Sequence, residues 1–388
     1  MATCTTRRGC ALAAVIVLSC AGTTVLAGPR EQAKRMHERI AGVPPAASVL
    51  AAMESDIAAG RAVDAAYAAM DNPAFYNVTL KNFVTPWTNR EQTMFAPLND
   101  YTATVIGMVR DDVPFDQALS ADILYVGRPG LGAPAVSPAG NDHYADLERR
   151  GVDLRDGLER TTQSAAYGLP AAATAGVVTT RAAAQAFFVA GTNRAMFRYT
   201  LLNHLCRDLE QVNDTSRPSD RIRQDISRSP GGDSRLFLNN CVGCHAGMDP
   251  LVQAYAYYNY DESQGRLVYT PGQVQPKYLI NSENFKPGFV TRSDQWDNYW
   301  RKGQNALLGW EQTLPGTGAG AKSMGQELAA TTAFASCQAE KVFRAVCLRT
   351  PNNAADRQRV GSMTSAFRAG GYRMRQLFAD AAVYCMGQ

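Results

Sequence analysis

Residues 233–251 read DSRLFLNNCVGCHAGMDPL, and the prediction of the fold is built outward from this stretch. It opens with an Asp-Ser pair, residues that favour the N-terminal cap of a helix, and apolar residues follow closely. Gly247 and Pro250 come soon after His245 and predict the end of that helix. The stretch therefore predicts a short helix that carries two cysteines and a histidine, followed by a chain that turns away.

The letters CVGCH within this stretch run from Cys241 to His245. Two thiols three residues apart can each add to a vinyl group of a haem, and the histidine after them can then bind the iron. A dithiol redox motif is expected in a βαβ context, which the sequence pattern lacks. A structural zinc site needs one or two further ligands at short spacing, and none lies nearby in the sequence. We therefore predict one covalent haem c, held by Cys241, Cys244 and His245.

The motif does not determine the second axial ligand of the iron. Met324 follows a glycine-rich loop at residues 316–320, so its thioether is a candidate for cofactor and metal binding. His204 and His143 are further candidates, although His204 lies on an apolar helical pattern that is typical of a core histidine. An open distal position is the remaining alternative. This choice matters because a six-coordinate haem transfers electrons, whereas an open one binds peroxide or oxygen.

Arg301 follows an aromatic cluster in residues 296–300 and is a candidate donor to the haem propionates. The same segment, residues 294–309, has the pattern of an amphipathic helix rich in tryptophan. Met248 is too close in sequence to His245 to reach the opposite face of a haem, so we expect it to pack in the core.

The N-terminus predicts export from the cytoplasm. Arg7 and Arg8 precede an apolar run at residues 10–21, and the residues up to Ala27 suit cleavage by a signal peptidase. We predict a signal peptide over residues 1–27 and a periplasmic mature chain. The alternatives are an uncleaved N-terminal anchor and a lipoprotein that a lipidated Cys20 tethers to a membrane.

Three of the nine cysteines lie in the leader and two in the motif. The other four can form two disulfides in an oxidising compartment, or they can remain buried thiols. Three C-terminal helices in an up-down-up arrangement would bring the ends of the first and third together. That topology predicts Cys347–Cys385 and leaves Cys206–Cys337 as the second pair.

Helical patterns dominate the chain, and the predicted fold class is mainly α. Glycines and prolines crowd residues 127–141 and predict a long loop, whereas residues 255–270 predict short strands. We predict a helical domain over residues 28–230, a haem domain with a few short strands over residues 231–325, and a C-terminal helical trio over residues 326–388.

The composition is that of an ordinary globular protein, with 46% hydrophobic and 19% charged residues. The net charge of +4 falls by two when the leader is removed, which does not predict binding to nucleic acid. Only four histidines are present, and this number excludes several haems or a site with many histidine ligands.

Several segments resemble planctomycete-type cytochrome c-like proteins. Residues 241–251, NYD at 259–261 and GRL at 265–267 resemble their haem region. FASCQAEKVFR at 334–344 and FRAGGY at 367–372 look like their final helical domain, and TTRA at 179–182 and AGTNR at 190–194 are similar to the segment upstream of the haem. The resemblance implies a single cytochrome c-like haem domain flanked by helical domains, and it implies no substrate.

Three functions follow from these patterns. The first is periplasmic electron transfer with a redox partner protein, since no paired carboxylates, nucleophile elbow or phosphate loop stands out. The second is a haem enzyme of peroxidase or oxygenase type, because the long segment before the motif could form a substrate pocket. The third is a binding or assembly protein with a structural haem. Whether the chain is an enzyme stays open at this point.

Overall fold

The computed structural model describes residues 27–189, 191–222, 235, 239–279 and 289–387. The predicted leader up to residue 26, with Cys20, lies outside the described residues, as does the predicted helix cap at residues 233 and 234. The described part of the chain is mainly α-helical with three two-stranded sheets, as predicted. None of its helices is long and apolar enough to cross a membrane.

The segment before the motif forms ten α-helices within the described residues. They are α1 (Pro29–Ala41), α2 (Ala47–Ala58), α3 (Ala62–Met70), α4 (Lys81–Val84), α5 (Asp100–Arg110), α6 (Asp142–Arg149), α7 (Leu154–Gly157), α8 (Gln163–Tyr167), α9 (Arg181–Phe187) and α10 (Arg194–Thr200). Turns of π-helix, Phe75–Leu80 and Leu201–Leu205, precede α4 and follow α10. The sequence has helical patterns over residues 46–70, 75–84 and 99–109; α2 to α4 lie within these ranges, and α5 ends one residue beyond the last of them.

Helix α9 ends at Phe187, and α10 begins at Arg194, directly after Asn193. Asn193 has a φ of +61°, a left-handed conformation that asparagine tolerates better than most residues. The side-chain amide of Asn193 donates to the carbonyl oxygens of Tyr255 and Tyr258 at 3.0 and 2.9 Å. The turn between the two helices is therefore attached directly to the chain that follows the motif.

The loop at residues 127–141 contains neither helix nor strand beyond its first residue, as predicted. It joins β1 (Leu124–Gly127) to α6, and β1 pairs antiparallel with β2 (Leu158–Thr161). His143, the first buried residue after the loop, accepts a hydrogen bond at Nε2 from the amide of Gly127 at 2.8 Å. This contact closes the loop onto the end of β1.

The motif lies on α11 (Val242–Val252), which continues beyond Gly247 and Pro250. The predicted end of the helix at these residues is therefore wrong. A Cβ at residue 247 would lie 1.7 Å from Nε1 of Trp300, so the glycine permits close packing of an indole and does not end the helix. Residues 246–252 are all buried, and this burial offsets the hydrogen bond that Pro250 cannot donate.

The strands β3 (Tyr258–Asp261) and β4 (Arg266–Tyr269) follow α11 as an antiparallel hairpin in which Tyr258 pairs with Tyr269. The sequence predicts both strands and the turn between them.

The predicted helix over residues 294–309 is wrong. The segment contains β5 (Gln295–Asp297) and two turns of 3₁₀-helix, and β5 pairs with β6 (Thr317–Ala319) in the predicted flexible loop. Gly303 and Gly309 each have a φ of +74°, which interrupts a right-handed helix. Trp296 is buried on β5 and Trp300 on the 3₁₀ turn that follows it, so the two tryptophans do not lie along one helical face.

Four helices complete the fold: α12 (Gly320–Ala329), α13 (Thr332–Cys347), α14 (Ala354–Ala369) and α15 (Met374–Cys385). The last three form the predicted helical trio. The structure joins Cys206 to Cys337 and Cys347 to Cys385, with Cα–Cα distances of 5.2 and 5.4 Å. These are the pairs that the helical topology predicts.

One cluster of buried apolar side chains contains residues from all three predicted domains, among them Ala33 on α1, Leu251 on α11 and Phe378 on α15. Helix α1 packs against α15, so the two ends of the described chain meet at the same side of the core. The motif helix thus rests on a continuous core. The domain boundaries at residues 230 and 325 stay a prediction.

Candidate haem-attachment site

The two motif cysteines lie at the start of α11, where Cys241 occupies the cap position. The amide of His245 donates to the carbonyl oxygen of Cys241 at 3.2 Å, so the motif closes one helical turn. Neither Cys241 nor Cys244 is in a disulfide, and both are partly exposed. The motif therefore presents two thiols and an imidazole from adjacent positions on a regular backbone.

Cys244 packs against the segment before the motif. Its thiol donates to the carbonyl oxygen of Leu209 at 3.4 Å. Burial raises the pKa of the Cys244 thiol, and the negative charges of Glu210 and Asp208 act in the same direction. The thiol is consequently protonated at neutral pH, the form in which cysteine is least reactive.

Gly243, between the cysteines, has a packing role. A Cβ at this residue would lie 1.7 Å from Oδ1 of Asn213. The carbonyl oxygen of Gly243 accepts a hydrogen bond from the amide of Asp214 at 3.0 Å. The glycine thus lets residues 209–214 lie directly on the first turn of α11.

His245 is held by a buried carboxylate. Its Nδ1 lies 3.1 Å from Oδ1 of Asp249, one helical turn further along α11. Asp249 is only 1% exposed, and Arg194 donates to it from Nε at 2.9 Å and from Nη2 at 3.2 Å. Burial alone would raise the pKa of Asp249, but Arg194 and His245 outweigh it and hold that pKa well below its usual range.

The protonation of the imidazole follows from this contact. An ionised carboxylate can only accept hydrogen bonds, so Nδ1 of His245 must carry the proton. In that tautomer Nε2 has the lone pair, and Nε2 is the nitrogen that a metal-binding histidine offers when Nδ1 donates to a carboxylate.

Arg194 and Asp249 are residues of the site that the sequence analysis does not identify. Asp249 stands four residues after His245, the spacing of neighbours on one helical face. Because the sequence analysis predicts that the helix ends at Gly247, it does not place Asp249 on the same helical face as His245. Arg194 is 55 residues from Asp249 in the sequence, and no local pattern connects the two.

Arg301, the predicted propionate donor, has other partners in the structure. Its Nε and Nη2 donate to the two carboxylate oxygens of Glu327 at 2.8 and 2.9 Å, and Nη2 also donates to the carbonyl oxygen of Glu311 at 2.9 Å. Glu327 is 2% exposed. The contact between Arg301 and a propionate stays a prediction, and in the structure this side chain ties the 3₁₀ turn of residues 299–301 to α12.

Met324, the predicted sixth ligand, is buried on α12. This helix packs against the 3₁₀ turns of residues 115–119 and 253–255, and a Cβ at Gly325 would lie 1.8 Å from the carbonyl oxygen of Leu119. Ligation by Met324 stays a prediction. Met248, which we expect to pack, lies in the core.

The two alternative histidines have partners within the protein. His143 uses both ring nitrogens, since Nδ1 lies 2.7 Å from the carbonyl oxygen of Pro134 in addition to the contact with Gly127. Nε2 of His204 lies 2.8 Å from the hydroxyl of Tyr101. Burial lowers the pKa of His204 well below its ordinary value, as expected for a core histidine.

In the described part of the chain, no three His, Cys, Asp or Glu side chains converge to hold one metal ion. Comparison of the whole chain with protein-family models, curated proteins and solved structures finds no match.

Proposed function

We propose that this chain is an exported c-type cytochrome with a single haem, which transfers electrons in the periplasm as part of a larger redox system. Cys241 and Cys244 attach the haem, and His245 binds its iron. The observation that carries the proposal is a CVGCH motif at the start of a helix, with Nδ1 of its histidine on a buried carboxylate.

The donors of the motif suit a haem better than a zinc ion. Tetrahedral zinc requires side chains that converge on one point, whereas haem c takes two thioether bonds at the ring edge and one imidazole at the iron. The motif itself supplies three donors, one fewer than a structural zinc site requires. The other four described cysteines are paired, and only Cys241 and Cys244 remain as thiols among the described residues.

When bound, the haem supplies an iron that changes oxidation state by one electron. The protein supplies the position of the ligand. Asp249 holds the imidazole of His245 in one orientation and one tautomer, and Arg194 holds Asp249 through two hydrogen bonds. Residues 209–214 contact the turn that carries the thiols, through the carbonyl oxygen of Gly243 and the thiol of Cys244.

A second candidate function is a haem enzyme with an open distal position, and Asp249 favours it. A carboxylate acceptor at Nδ1 makes an imidazole a stronger electron donor than a carbonyl acceptor does. A stronger donor stabilises the more oxidised iron, which suits reaction with peroxide or oxygen. Met324 as a sixth ligand would oppose this function because it would close the distal position.

Absorption spectra of the purified protein in both oxidation states, with and without carbon monoxide, test these functions. The chain should be produced in a host that attaches haem c. We expect the spectrum of a haem with two thioether bonds, and no change with carbon monoxide if the protein is a six-coordinate carrier. Rapid binding of carbon monoxide would favour the enzyme instead.

The matched variants are the double replacement Cys241→Ser with Cys244→Ser and the single replacement Val242→Ser. Haem that survives denaturing electrophoresis should be lost in the double variant, which removes both thioether bonds, and kept in Val242→Ser, which leaves the motif intact. Wild-type protein that carries no covalent haem under these conditions would overturn both functions.

A further inference from the structure

A small cleft of about 80 Å³ lies between the loop of residues 127–141 and the hairpin of β3 and β4, and neither motif cysteine lines it. Pro138 lines it from the loop, and Leu169 and Pro170 line it from the turn after α8. Leu267 and Tyr269 of β4 complete its apolar lining. Two arginines, Arg181 and Arg266, also line the cleft.

The walls of the cleft are held by backbone contacts. Gly265, in the hairpin turn, has a φ of +65°, and a Cβ there would lie 3.2 Å from the carbonyl oxygen of Ala139 in the loop. The amide of Tyr260 donates to the carbonyl oxygen of Phe188 at 3.2 Å, which attaches the hairpin to the end of α9. The cleft is therefore formed before any ligand enters.

Arg181 is a buried cation with neutral partners. It is 8% exposed, and its guanidinium donates to the amide oxygens of Gln185 and Asn141 at 2.8 and 3.0 Å. Its Nε has no hydrogen-bond partner in the described part of the chain. A buried guanidinium is costly unless an anion compensates it.

The nearest acid does not supply that anion by contact. Asp100 accepts hydrogen bonds from the hydroxyl of Tyr167 at 2.9 Å and from the backbone amides of Tyr101, Arg181 and Ala182. Its carboxylate is thus committed to capping the start of α9. Among the described residues, no carboxylate forms an ion pair with the guanidinium of Arg181.

Arg266 adds a second positive charge at the cleft. It is exposed on β4, and its side chain forms no hydrogen bond or ion pair with the described residues. Guanidinium groups bind carboxylates through parallel hydrogen bonds, and these bonds are strong when water is partly excluded. An anion with an apolar body would satisfy both the arginines and the apolar lining.

We propose that this cleft binds a small organic carboxylate, with its carboxylate on Arg181 and Arg266 and its apolar body against Leu169, Leu267 and Tyr269. The site is independent of haem attachment.

Isothermal titration of the full protein with benzoate, benzamide and inorganic phosphate tests the proposal. Benzoate should bind, while benzamide, which has the same shape without the charge, should bind at least tenfold more weakly because it lacks charge-assisted hydrogen bonds. Phosphate should bind more weakly than benzoate because it has no apolar body. Absence of benzoate binding at millimolar concentration would overturn the proposal, as would equal binding of benzamide or phosphate.

Arg266→Gln is the first variant, since its side chain has no partner whose loss would unfold the chain. It should weaken benzoate binding about tenfold, the loss of one charge-assisted contact. Arg160→Gln is the matched control, because Arg160 is also an exposed arginine on a two-stranded sheet but does not line the cleft. Equal affinity in the two variants would contradict the assignment.

Discussion

The motif region, residues 194–255, and the C-terminal region, residues 295–385, each contain a buried carboxylate held in the same way. Asp249 in the first and Glu327 in the second accept hydrogen bonds from Nε and Nη2 of one arginine. Both carboxylates are almost completely buried, and both arginines, Arg194 and Arg301, are partly exposed.

The two carboxylate–arginine pairs, which we call clamps, differ in the third hydrogen-bond donor to the carboxylate. In the C-terminal region the amide of Asn298 donates to Glu327 at 2.8 Å, and in the motif region Nδ1 of His245 lies 3.1 Å from Asp249. An amide can only hold the carboxylate in place. An imidazole has a second nitrogen that can bind a metal, so in the proposed cytochrome the clamp of the motif region would orient an iron ligand, whereas the clamp of the C-terminal region is structural.

The cysteines also form two sets, those joined in disulfides and those that remain thiols. Cys206 of the motif region is joined to Cys337 of the C-terminal region, and Cys347 is joined to Cys385, whereas Cys241 and Cys244 are in no disulfide. A disulfide acts on folding stability, and the two thiols are the groups that haem attachment would use. The comparison therefore predicts that replacement of the disulfide cysteines or of Glu327 changes stability alone, whereas replacement of Asp249 would also change the proposed haem.

Removal of the disulfides should have the largest effect on stability. Replacement of Cys206 and Cys337 by alanine should cost about 5 kcal/mol, and replacement of Cys347 and Cys385 about 4 kcal/mol, because a longer loop restricts the unfolded chain more. The loops span 131 and 38 residues. Urea unfolding followed by far-ultraviolet circular dichroism measures both losses.

The control is the double replacement of Cys241 and Cys244 by alanine, measured on haem-free protein. It should cost only about 1 kcal/mol, as expected for two partly exposed side chains without a cross-link. A loss as large as that of a disulfide variant would contradict the contrast between the two sets of cysteines.

Amides in place of the two clamped carboxylates should have a smaller effect. Asp249→Asn and Glu327→Gln each weaken hydrogen bonds to charged donors and should cost about 2 to 3 kcal/mol in urea unfolding. Only Asp249→Asn should also raise the reduction potential of the attached haem. A rise of about 60 mV corresponds to a tenfold change in a one-electron equilibrium.

Glu327→Gln is the matched control for that potential, since it alters the same kind of clamp away from the motif. Redox titration followed by the absorption of the haem measures both variants. A similar rise in both, or no rise in Asp249→Asn, would break the proposed link between Asp249 and the iron.

His204 is the other histidine of the motif region, and its burial predicts a dependence of folding stability on pH. No carboxylate among the described residues contacts His204, and burial lowers the pKa of its imidazole in the folded state, so below about pH 6.5 the unfolded chain binds a proton that the folded chain does not. Stability should therefore fall as the pH falls, by about 2 kcal/mol between pH 7 and pH 5 from this residue.

Urea unfolding at both pH values, compared between wild type and His204→Gln, isolates this contribution. The variant should lose less stability than wild type over the same range. An identical loss would show that His204 is not the group responsible.

Much of the helical fold follows from local patterns. The side chain of Asn99 accepts a hydrogen bond from the amide of Thr102 at 3.0 Å and caps the start of α5, a contact within one turn of the chain. The segment 294–309 shows where such patterns fail. Its apolar spacing suits a helix, but left-handed glycines and the pairing of β5 with β6 override that preference.

The sequence by itself determined the reactive groups, because CVGCH places two thiols and an imidazole within one turn of backbone. It also determined which cysteines could pair once the last three helices were recognised. Only the tertiary structure decided that Asp249 supports His245, that Arg194 neutralises Asp249, and that Gly247 admits Trp300. The physical reason is the range of the interactions: reactive spacing and helix formation are local, whereas the compensation of a buried charge and the close approach of two elements depend on segments far apart in the chain.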